Sequence, residues 1–260
     1  MCFFDGPKHT LLYLPQTFTG DRFDFHGQCD LMFLDAPNFD NGNGLSIHLR
    51  TTGRYTYSFI ESLALKIGSD ILQVSSWGNY ILNGISQADL PATLSGFSVN
   101  HTQVNEMKHQ FVIDLSTLAG NSGETILIQT FKDWVGVKVQ HLDSSHFEDS
   151  TGMMGHFHTG TMLARDGVTV MEDSNAFGQE WQVLDTEPML FQTVRAPQYP
   201  DNCVLPGDAT SQLRRRLEEN GIEKVAAERA CAPLVGAQLD ACVFDVMATG
   251  DLDMAKAGVF

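Results

Sequence analysis

The chain has 260 residues with 43% hydrophobic content, enough for one large domain or a domain with a small companion. Its net charge of −16, from 32 acidic and 16 basic residues, argues against a nucleic-acid backbone or an anionic membrane as partner and leaves divalent cations open. No run approaches the ~18 apolar residues of a membrane span, and the opening "MCFFDGPKHTLLYLPQTF" lacks the basic-then-apolar layout of a signal peptide. A secreted protein with this sequence is therefore expected to be a mature piece or an excised region.

In chain order, Arg22-Phe23-Asp24-Phe25-His26 alternates apolar and polar residues and predicts a strand with both phenylalanines on one face. Gly27 marks a bend, and Cys29 follows it. Leu45 to Arg50 alternates cleanly after the turn formers Asp40 to Gly44, and Tyr55, Tyr57 and Phe59 continue the period. Further short strands are predicted at Ile71–Val74, Asn79–Gly84, Gly96–Val99, Gln110–Leu115, Glu124–Phe131 and Val135–Leu142. Many short strands with frequent turns and no strand–helix–strand rhythm indicate a mainly β chain, an antiparallel sandwich.

The character changes near Arg195 to Asp208, where three prolines oppose regular structure and suggest a linker or covering strap. Helical patterns follow over Asp208–Asn220, Ile222–Val235 and Leu239–Thr249, the last carrying Leu239, Cys242, Val243, Val246 and Met247 as an apolar stripe before Gly250. None is long enough to be stable alone, so they are expected to pack on each other or on the sandwich. The expected division is residues 1–200 as the sandwich and 201–260 as a small cysteine-containing helical module.

Five cysteines, at 2, 29, 203, 231 and 242, include no CxxC pair, so a zinc ribbon or a thioredoxin-like site is not expected. Asn100-His101-Thr102 is a glycosylation sequon and leans toward an exported glycoprotein.

These segments together resemble the von Willebrand factor type D family. The stretch "TFTGDRFDFHGQCD" (17–30) resembles the family's entry, and Gly152 to Val183 resembles its Gly-Leu-Cys-Gly calcium loop and closing Phe-x-x-x-Trp strand. The tail, with Cys231, Cys242, Phe244-Asp245-Val246 and Gly250-Asp251, resembles the helical module that follows such domains in mucins and clotting-factor relatives. The resemblance implies a secreted or cell-surface β-sandwich of the extracellular matrix or cell-adhesion kind. It would be calcium-stabilised and non-enzymatic, with other extracellular proteins or further domains of the same protein as partners, and able to form oligomers. It also implies a disulfide between Cys29 and Cys203, worth ~4–5 kcal/mol in the chain-entropy model. A Cys231–Cys242 bond would clamp two successive helices, with buried free thiols as the alternative, and Cys2 is left without an obvious partner.

Three departures bear on the metal. Thr19 stands where the family carries an aspartate, Met154 where it carries a cysteine, and His156-Phe157-His158 where it carries Asn-x-Asn. Asp166, Thr159 and nearby Glu172 and Asp173 offer oxygens for calcium. Alternatively His156 and His158, on one side of a strand, would join Asp166 to hold zinc or copper for sensing or catalysis. The third possibility is a loop that has lost its metal. Ser144, Ser145 and His146 with Glu148 and Asp149 lack a nucleophile elbow and read as a polar loop, so no catalytic residue is assigned. Trp77, Trp134 and Trp181 read as packing residues. The alternative is a stacking platform for carbohydrate.

Overall fold

The computed structural model describes residues 17–21, 23, 25–54, 57–117, 124–140, 145–192, 203 and 222–257. Eleven strands form two antiparallel sheets. The first contains β1 (Asp30–Ala36), β2 (Leu45–Arg54), β3 (Tyr57–Ile67), β4 (Asp70–Ser75), β5 (Asn79–Leu82) and β6 (Ile85–Ser86), in that spatial order. The second contains β7 (Ala92–Leu94), β8 (Phe97–Asn105), β9 (Lys108–Asp114), β10 (Thr125–Phe131) and β11 (Trp134–Gln140), again as neighbours in sequence. The mainly β sandwich expected from the strand-and-turn rhythm is the observed architecture.

Period two decides which side chains fill the space between the sheets. Leu45, Ile47 and Leu49 of β2 and Leu63, Leu65 and Ile67 of β3 point inward, where they meet Val99, Phe111, Ile113, Ile126 and Ile128 of the second sheet in one buried cluster. Strand β1 departs from strict alternation. A bulge between Met32 and Leu34 shifts its register against β2, so Phe33 and Leu34 are both buried.

Of the stretch Arg22–His26, only Phe23, Phe25 and His26 are described, and none of these three lies in a strand. Phe23 and Phe25 are buried as the alternation requires, and β1 begins only at Asp30. Cys29 sits at the bend and is fixed by Thr51, whose hydroxyl accepts from Cys29 N at 3.0 Å and donates to Gly27 O at 2.7 Å. Cys29 bonds Cys203 across 174 residues, with Cα atoms 5.0 Å apart.

Each sheet has a cover on its outer face. The segment from Gln182 to Gln192 leaves the edge of β1, where Val183 N donates to Asp30 O at 2.8 Å, and crosses the first sheet. It ends where Gln192 N donates to Gln73 Oε1 of β4 at 3.1 Å, and Leu190 and Phe191 close over Ala64 of β3. The second sheet is covered by helices α2 (Lys224–Ala230) and α3 (Ala237–Thr249) and the 3₁₀ turn Leu252–Lys256. Ala227, Cys231, Cys242, Val246 and Met254 pack there against Phe131, Trp134 and Phe59. Cys231 and Cys242 are bonded, Cα to Cα 5.9 Å, and close the α2–α3 hairpin. The helix expected over 208–220, most of the proline-rich strap, Tyr55 and Cys2 lie outside the described residues.

Candidate functional site

The loop from Thr151 to Val170 is built onto the edge of β1. Thr151 and Asp35 exchange backbone hydrogen bonds of 2.8 and 2.9 Å, and Met153 N and Met154 N donate to Met32 O and Phe33 O at 3.1 Å. Gly152 has φ +120°, and a Cβ there would lie 2.6 Å from Phe33 O, so the loop approaches the strand only because this residue has no side chain. Met153 and Met154 are buried in the main core, so the position at which the family carries a cysteine is a packing position here. The entry segment is tied to the same loop, since Phe18 N donates to Met154 O at 3.0 Å.

His156 to Gly160 form a tight turn and not the expected strand. His156 O accepts from Gly160 N at 2.8 Å, and His156 N donates to Thr161 O at 2.9 Å. The turn presses against the entry segment: a Cβ on Gly160, φ +65°, would lie 2.0 Å from Thr19 Oγ1. His156 Nδ1 is 3.2 Å from Thr159 Oγ1, and the His156 and His158 rings are 5.9 Å apart and inclined at 55°. Phe157 packs edge-on against Phe18 at 5.1 Å.

Asp166 serves the next turn. Its Oδ1 accepts from Val168 N at 2.9 Å and Thr169 N at 2.8 Å, and its Oδ2 accepts from Thr169 Oγ1 at 2.6 Å. The Thr169 hydroxyl first, and then the two backbone N–H groups, hold this carboxyl below its ordinary pKa. Asp173 caps helix α1 (Ser174–Glu180) by accepting from Ala176 N at 2.7 Å. Among the described residues, no group of three or more His, Cys, Asp or Glu side chains is placed to hold a metal ion, so His156, His158 and Asp166 do not converge.

The closing Phe-x-x-x-Trp is helical and not a strand. The four-residue spacing puts Phe177 and Trp181 on one side of α1, facing the main core, and the Trp181 indole N–H donates to Leu163 O at 3.0 Å. Trp134 is buried against Phe59, with ring centroids 4.4 Å apart, whereas Trp77 is 47% exposed and is not a core residue. Asn100 is exposed on β8, accessible to a glycan.

Two polar clusters carry no sequence motif. Under the Gln182–Gln192 cover, Arg50 donates from Nε and Nη2 to the two oxygens of Asp30 at 2.8 and 2.7 Å, and Phe191 lies 4.2 Å from its guanidinium. Neighbouring His48 is 3% exposed, and burial lowers its pKa to about 4, against the opposing pull of Glu187, Asp35 and Asp30. At one end of the sandwich, His101 Nε2 and His109 Nδ1 are 3.1 Å apart in nearly parallel rings. Burial lowers both pKa values, and for His101 the charge of His109 adds to it. The outward side of an alternating strand reads as solvent-facing, so only a signal for the covering segment would have exposed the first cluster.

No protein-family model matches the chain, and no curated protein is significantly similar to it. The geometry itself defines the class: a disulfide-bonded antiparallel β-sandwich with both sheets covered. No helix among the described residues is long and apolar enough to cross a membrane.

Proposed function

We propose that the chain is a non-enzymatic structural or adhesive module of the von Willebrand factor type D kind, working outside the cell and engaging other extracellular proteins or further domains of its own protein. The observation that carries this reading is the Cys29–Cys203 bond, which clasps the start of β1 to a point 174 residues later, beyond both sheets. Such bonds persist in oxidising compartments. A tension applied at the chain ends bypasses the clasped sandwich, a useful property in a load-bearing unit. The buried Cys231–Cys242 staple and the exposed Asn100 sequon support the same setting. Calcium does not enter this proposal, since Asp166 serves its own turn and no metal-holding group of acidic or histidine side chains converges among the described residues.

Single-molecule stretching of the chain between its ends tests the load-bearing role. Under oxidising conditions the sandwich between Cys29 and Cys203 stays folded or contributes no length. After reduction, unfolding adds roughly 600 Å of contour length, from 174 residues at ~3.3–3.6 Å each. Equal extension in both conditions removes the mechanical argument.

A further inference from the structure

We propose that Trp77 is a docking point for an arginine guanidinium presented by a basic partner protein. The residue lies between β4 and β5 with φ +59°, a backbone conformation that bulky side chains rarely adopt. It is held there from two sides. Its backbone N–H donates to Lys132 O at 2.7 Å, and its indole N–H donates to Asp133 Oδ1 at 2.9 Å. The ring is thus fixed in orientation while 47% of the residue remains exposed. Asn79, also exposed, stands two residues on.

The Asp133 contact selects the chemistry of the occupant. A carboxylate accepting the indole N–H pushes electron density into the ring and makes its face more negative. Tryptophan is already the strongest aromatic partner for a cation. Lys132, whose carbonyl holds the Trp77 backbone, leaves that face open. Lys132 turns its ammonium onto Asp251 at 2.7 Å and Asp253 at 3.0 Å, across the seam to the helical cover. Among the described residues, no ring or cation stands over Trp77.

The protein's other aromatic faces show what such a ring accepts. Arg165 stands 5.0 Å from the centre of the Trp181 ring, and Arg50 stands 4.2 Å from that of Phe191. Trp134 spends its face on Phe59. Trp77 is the tryptophan whose face is oriented, electron-rich and unused. A planar guanidinium stacks on such a face better than a compact ammonium does. The chain's net charge of −16 draws a basic partner toward it. The proposal does not rest on the extracellular reading, and its failure would leave that reading untouched.

The test follows the indole N–H resonance of Trp77 in the whole chain during titration with acetyl-Gly-Arg-Gly-amide. The control is the same peptide with citrulline, which keeps the shape and removes the charge. The expected result is a saturating shift at Trp77, absent at Trp134 and Trp181, with the arginine peptide binding roughly two- to fivefold tighter than the citrulline peptide. In Asp133→Asn, which keeps an acceptor oxygen but loses the charge, the preference falls toward one. The comparison on the unmodified chain stands even if the variant misfolds. Equal binding of both peptides, or no response at Trp77, overturns the proposal. So does a shift produced by methyl galactoside and not by the arginine peptide, which would make the ring a sugar platform.

Discussion

The two covers solve one problem in opposite ways. The extended segment over the first sheet rests on a polar layer: the Arg50–Asp30 pair, His48, Gln73 and the ion pair of Arg165 with Glu187. The helices over the second sheet rest on apolar surface, Phe131 and Trp134 against Val246 and Met254, with a disulfide inside the cover itself. An extended chain brings few apolar atoms per residue and exposes its backbone, so hydrogen bonds and charges must hold it. A helical hairpin brings a broad apolar stripe and satisfies its own backbone, so packing suffices. The first cover should therefore respond to pH, and the second to changes of volume and to reduction.

The largest effect is expected at the apolar cover. Trp134→Ala removes a ring that is 2% exposed and packed at a tilt against Phe59, and it should cost about 3–5 kcal/mol in urea unfolding. Limited proteolysis should then cut residues 222–257 before the Gln182–Gln192 segment.

Acid comes next, and it acts on the other cover. The folded His48 pKa is lowered from 6.5 to about 4, so below pH 6.5 the unfolded chain takes up a proton that the folded chain refuses. Stability is full above pH 6.5 and falls by about 3 kcal/mol as the pH drops to about 4. Subtracting the pH profile of His48→Gln isolates this contribution from those of His101 and His109, whose lowered pKa values act in the same direction.

Replacing both Cys231 and Cys242 by serine opens a loop of 11 residues, and the chain-entropy model gives a loss of about 2–3 kcal/mol, read as a lower urea midpoint. The smallest effect is at the seam of the helical cover. Lys132 has a pKa above the ordinary value although burial opposes it, because hydrogen bonds from its ammonium to Asp251 and Asp253 outweigh that burial. These partners are more than a third exposed, so Lys132→Met should cost less than about 1 kcal/mol, and less still in high salt.

Sequence legibility divides along the same line. Strands with an apolar inner face and a polar outer face, such as Leu45–Arg50 and Gln110–Leu115, announce themselves by alternation, whether or not a cover lies over the polar side. Strand β1, "DLMFLDA", does not, because a bulge and two covered faces replace alternation by a nearly continuous apolar run. Phe23 and Phe25 are buried although neither is itself in a strand, since two buried rings satisfy the pattern whether or not a neighbour pairs with the backbone. The apolar stripe of α3 and its Gly250 stop were visible, and Gly250 does end the helix in the left-handed conformation.

The candidate site was legible as a place and not as a geometry. The glycines around Met153 and Met154 mark a tight loop, and a tight loop is present. The spacing of His156, His158 and Asp166 carries no information about the turns that separate them. Trp77 misled because tryptophan is usually buried, and only its left-handed backbone and the Asp133 contact show it to be displayed.

The covalent clasp at the centre of the proposed function joins Cys29, beside the start of β1, to Cys203. Non-reducing peptide mapping of the purified chain tests this most directly. The peptide holding Cys29 should be recovered bonded to the peptide holding Cys203, and the Cys231 peptide bonded to the Cys242 peptide. Recovery of Cys29 and Cys203 as free thiols, or of either one bonded to Cys231 or Cys242, would contradict the account.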